Sequence, residues 1–107
     1  MDARTLEALK SSIAKWEKNA AAETPADAHV FGSSCPLCAL FAREDEEYCK
    51  GCPVYERTGD SDCFGTPWEK ASQKWLRWKK GAETDFHDAA REEVAFLKSL
   101  LPPEEAQ

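Results

Sequence analysis

CPLCALFAREDEEYCKGC, residues 35–52, carries four thiols in two tight pairs, Cys35 with Cys38 and Cys49 with Cys52, and the two pairs are ten residues apart. A further ten residues lead to Cys63, so the run from Cys35 to Cys63 reads C-x2-C-x10-C-x2-C-x10-C. Two cysteines separated by two residues can place both sulfurs on one ion in a tight turn. Two such pairs complete the tetrahedral thiolate set that zinc adopts in structural sites. Pro36 pre-sets the first turn, and Gly51 can take the positive φ that the second requires. Four thiolate ligands leave no coordination position open to a substrate, so the expected site is structural and its metal contributes folding free energy. The expected ligands are Cys35, Cys38, Cys49 and Cys52, with Cys63 as the alternate. An iron–sulfur cluster also takes four cysteines, but paired turns built on proline and glycine favour zinc. His29 precedes the first cysteine by six residues and reads more simply as a loop or capping residue than as a ligand.

Outward from this segment the chain reads as helix. At 107 residues it is one domain's worth of material. A chain of that size has a modest core and gains from a staple. On the N-terminal side, Leu6, Leu9, Ile13, Trp16 and Ala20 recur at helical steps and predict a helix over residues 1–23. A loop follows, with Val30 and Phe31 as candidates to cover the core. Residues 35–64 form the cysteine-rich segment, with short helical turns expected in CALFAR and in PVYERTG, where Pro53 suits a first helical position. Thr66, Pro67 and Glu69 make a helix-start signature. Trp68, Ala71, Trp75 and Trp78 form the stripe that follows, and Gly81 is a natural stop. Phe86, Ala90, Val94, Leu97 and Leu101 predict the last helix, which ends before Pro102, so residues 67–101 hold two helices. The expected fold is therefore mainly α: a small single domain, residues 1–107, of three longer helices and a zinc-bound cysteine-rich loop region.

Charge and composition narrow the function classes. The formal net charge is −6, with a pI near 4.9. Nucleic-acid binding through counterion release is disfavoured by that balance, whereas a partner protein with a basic surface is favoured. Against this stands KWLRWKK, residues 74–80: Lys74 and Arg77 share a face of the tryptophan helix with Lys70 before them, joined by Lys79 and Lys80 near its C-terminal end. A nucleic-acid-binding zinc module using that face is the alternative reading, and a solvated face with a dipole-matched last turn is the simpler one. The N-terminal residues are charged throughout and unlike a signal peptide, and no stretch reaches transmembrane length. Cytoplasmic localisation is expected, where disulfides are rare. No membrane and no small-molecule substrate are expected. REDEEY, residues 43–48, reads as a solvated acidic loop. FHDAAREE, residues 86–93, offers His87, Asp88, Arg91 and Glu92 but no nucleophile paired with a base, so the chain is expected not to be an enzyme.

The order CPLC, then CKGCPVYERTG, then DCFGTPWEKA resembles a group of small cysteine-rich proteins encoded by tailed phages and prophages, over about forty residues. The resemblance implies zinc binding, a phage or mobile-element origin and hence a host-cell cytosol. The group's function is obscure. Interference with a host defence or nucleic-acid-processing complex would fit an acidic protein of that origin.

Overall fold

The computed structural model describes residues 1–30, 36–41, 51–59, 66–82 and 85–105, with residue 38 described in its backbone only. Five α-helices run through them: α1 (Ala3–Ala20), α2 (Pro36–Phe41), α3 (Pro53–Thr58), α4 (Pro67–Lys79) and α5 (Phe86–Lys98). Single 3-10 turns occupy Pro25–Asp27 and Pro103–Glu105. Among the described residues there is no strand. The expectation of a mainly helical chain with three longer helices holds.

Each long helix starts and stops for a local reason. At the head of α1, the Asp2 carboxylate accepts a hydrogen bond from the Thr5 N–H at 2.8 Å, satisfying one of the donors that a helix start leaves open. At the head of α4, the Thr66 hydroxyl accepts from the Trp68 N–H at 3.3 Å, with Pro67 in the first position. The far end of α4 closes as a Schellman motif. Gly81, at φ +92, donates to the Trp78 carbonyl at 2.9 Å, and Ala82 donates to the Arg77 carbonyl at 3.1 Å.

α5 is the central helix, packed along α1 on one side and α4 on the other. Both pairs are antiparallel. Glu17 meets Lys98 at 3.8 Å and Lys10 meets Glu105 at 3.0 Å across the α1 side. On the α4 side Lys70 meets Glu92 at 3.2 Å, and Trp78 stacks on Phe86 with ring centroids 5.4 Å apart. Leu9, Trp16, Phe86, Ala90 and Leu97 are buried in the resulting core. Each large apolar side chain so buried contributes on the order of 2 kcal/mol.

α1 ends at Ala20, three residues before the expected boundary at residue 23. The buried Asn19 turns the chain there. Its amide donates to the His29 carbonyl and accepts from the His29 N–H, both at 2.9 Å. Residues 21–30 then form a strap that lies back across α4 and the start of α5. Three side chains hold it by its carbonyl oxygens. Trp68 Nε1 donates to Val30, Trp75 Nε1 donates to Pro25 at 2.9 Å, and His87 Nε2 lies 2.7 Å from the Ala22 oxygen. A backbone without regular structure needs such partners when it is covered. Val30, the last residue of the strap, is buried against the core as expected, and Phe31 lies outside the described residues.

Candidate functional site: the cysteine pairs and the basic face of α4

The cysteine-rich segment adds two short helices: α3 is the turn expected in PVYERTG, while α2 starts inside CPLC, ahead of the turn expected in CALFAR, whose last two residues lie outside the described residues. Pro36 opens α2 directly after Cys35, and Cys38 falls in its first turn. Pro53 opens α3 with Cys52 at its N-cap, and Gly59 closes it in the left-handed conformation at φ +78. Gly51, inside the CKGC turn, has φ +91. That is the backbone conformation expected of a glycine where the chain doubles back between paired thiols.

The two cysteine-pair segments approach one another through Phe41 and Gly51. A Cβ placed on Gly51 would lie 3.2 Å from Phe41 Cε1, so the ring at the end of α2 sits against the CKGC turn. Leu37 and Cys52 are both buried in the common core, at 2% and 6% exposure. α2 packs on α1. α3 is tied to the end of α5 by Arg57, whose guanidinium donates to the Ser99 carbonyl at 3.2 Å. A cation at a helix C-terminus is favoured by the helix dipole. Cys52 is the one cysteine whose side chain is described. Cys35, Cys49 and Cys63 lie outside the described residues, as do the carboxylates Glu44, Asp45, Glu46 and Glu47 of the acidic loop. Among the described residues no group of three or more His, Cys, Asp or Glu gathers around a common point. His29 is exposed and engages Asn19 through its backbone.

The described surroundings of Cys52 suit a thiolate-bound ion such as zinc. A thiol at a helix N-cap, a left-handed glycine one residue before it and the Phe41 ring of the other pair's helix beside that glycine are compatible with a two-pair thiolate site. Cys35, Cys38, Cys49 and Cys52 would hold the ion, with Cys63 as alternate. When bound, zinc would supply a cross-link between α2 and α3 and no reaction chemistry.

The five basic residues of α4 have divided roles. Lys70 is paired with Glu92 at 3.2 Å and Lys74 with Asp85 at 3.7 Å, while Lys79 lies over the Trp75 ring at 5.2 Å. Arg77 and Lys80 are exposed and pair with no carboxylate among the described residues. The tryptophans interleaved with them are occupied as well. Trp68 and Trp75 spend their N–H groups on the strap, and Trp78 stacks on Phe86. All three are half-buried, so they border the core where it was expected to enclose them. An indole N–H needs a partner, and the strap carbonyls offer one at that border.

The cluster at the start of α5 is likewise engaged in structure. His87 holds the strap, Arg91 pairs with Asp88 one turn away, and Glu92 faces Lys70. Two features had no sequence signal strong enough to single them out. Glu93 is buried at 4% exposure on α5, and Thr5, Ser12 and Asn19 form a buried polar column on α1. Their seven-residue spacing is the one available clue. No helix among the described residues is long and apolar enough to cross a membrane. No protein-family model, curated protein or solved structure matches the chain.

Proposed function

We propose that this chain is a non-enzymatic, zinc-stabilised protein of phage type that acts by occupying a surface on another protein. The observation that carries the metal part is the seating of Phe41 against Gly51, which draws the first cysteine pair's helix to the second pair's turn. The partner part rests on the net charge of −6, which favours a basic target such as the nucleic-acid-facing surface of a host defence or processing complex.

Elemental analysis of protein purified under reducing conditions tests the metal. One zinc per chain is expected, lost on Cys→Ser substitution at position 52 and without the visible absorption of an iron–sulfur cluster. Absence of zinc with helicity intact overturns it. A host-lysate pulldown tests the partner: one stoichiometric protein, released by salt, is the expected outcome.

The nucleic-acid reading stands second and draws on exposed Arg77 and Lys80. It predicts steeply salt-dependent binding to DNA or RNA, lost on charge reversal of Lys74 and Arg77. The internal engagement of Lys70 and Lys79 weighs against it.

A further inference from the structure

At the end of the bundle away from α3, the close of α4 and the start of α5 border a cleft of about 700 Å³. This lies within the size of small-molecule pockets, roughly 300–1,000 Å³. Lys74 and Arg77, one turn apart on α4, line one wall, and His87 and Asp85 line the other. The Trp78 indole lies between them, and the Schellman turn at Gly81 and Ala82 closes the rim.

The charge here runs against the rest of the molecule. In a chain of net charge −6, the described residues lining this cleft include two cations, an imidazole and one carboxylate. The carboxylate is loosely held: Asp85 is 78% exposed and stands 3.7 Å from Lys74. An exposed pair at that distance contributes little. Asp85 is also the N-cap of α5, yet its side chain makes no capping bond. Arg77 is exposed, with a guanidinium fork suited to phosphoryl oxygens.

We propose that this cleft binds a phosphoryl group attached to a flat ring, the chemistry of a mononucleotide. The phosphoryl preference follows from the two cations: Arg77 offers a guanidinium fork that matches two phosphoryl oxygens, and Lys74, one turn earlier and only weakly paired with Asp85, adds a second positive charge. The ring requirement follows from the volume, which exceeds what an inorganic anion fills, and from the indole on its wall. Neither step depends on the metal.

The test is a titration of the full chain, followed by amide chemical shifts, with AMP, inorganic phosphate and a short oligothymidylate in separate arms. AMP is expected to shift Gly81, Ala82, Phe86 and His87 saturably, and more tightly than phosphate. Arg77→Glu should weaken AMP by about tenfold or more, while Lys98→Glu, at the other end of α5, leaves it unchanged. Asp85→Asn should tighten binding, a sign that a merely structural role for Asp85 does not produce. No saturation by AMP, equal affinity for AMP and phosphate, or oligothymidylate binding without AMP binding overturns the proposal. So does an Arg77→Glu or Arg77→Gln variant, folded by its helicity, that binds AMP as the parent does.

Discussion

Asn19 does at one position what a sheet edge does over several: it offers a donor and an acceptor to a passing backbone. Its side chain is 1% exposed and both of its bonds go to His29. Replacing Asn19 by Ala strands a peptide N–H and a carbonyl together and is expected to cost about 2 kcal/mol, read as a lower midpoint in urea denaturation. Glycine substitutions sort by a different criterion. At Gly81 there is open space, so Gly81→Ala costs only the left-handed backbone, about 1 kcal/mol. At Gly51 the same change adds a methyl 3.2 Å from Phe41 and is expected to cost more than at Gly81. Thermal midpoints of the two variants check the order.

Individual residues explain why part of the design was legible. Thr66, Pro67 and Gly81 act locally, so a short window contains the whole reason for the α4 boundaries. Asn19 and Arg57 act on partners ten and 42 residues away, which no local window holds.

At the scale of elements, the buried face of α1 is rotated relative to the apolar stripe. Thr5, Leu9, Ser12, Trp16 and Asn19 are buried while Leu6 is only half covered. Apolar periodicity finds a helix reliably, but small polar residues that allow a neighbour to approach are invisible to it. The tryptophan stripe of α4 failed in the complementary way. Its spacing does mark a helix, but the indole N–H groups of Trp68 and Trp75 hold it at the edge of the core. Trp75→Phe should keep most of the packing and lose the bond to Pro25, lowering stability by about 1 kcal/mol in chemical denaturation. The start of α1 supplies a pH signature. The N–H and hydroxyl of Thr5, followed by the N-terminal amine and Arg4, hold the Asp2 carboxyl below its usual range. A carboxyl lowered on folding stabilises the fold above its unfolded value, and that contribution disappears as pH falls through the folded one. Asp2→Asn should therefore flatten the acid limb of the stability–pH curve and leave its neutral limb with the same slope.

Across the whole molecule, the long helices bury a shared core while α2 and α3 attach at the α1 start and the α5 end. If the paired thiolates hold zinc as proposed, chelation should remove the cooperative thermal transition seen by circular dichroism. An unchanged transition and unchanged helicity after chelation would reject a structural metal. The candidate metal centre rests on spacing, because ligand spacing is a local property. Which four of the five cysteines would ligate is a matter of three-dimensional placement, and Cys63 stands on a part of the chain where spacing offers two answers.

The strap has one more consequence, an optical one. Two indoles bond to it directly and a third lies beside its His87 anchor, whereas Trp16 is sealed inside the core. Ultraviolet emission thus carries two separable signals. Lifting of residues 21–30 would wet the border rings and redden the spectrum while the sealed ring still glows blue, so the protein contains its own gauge of partial opening.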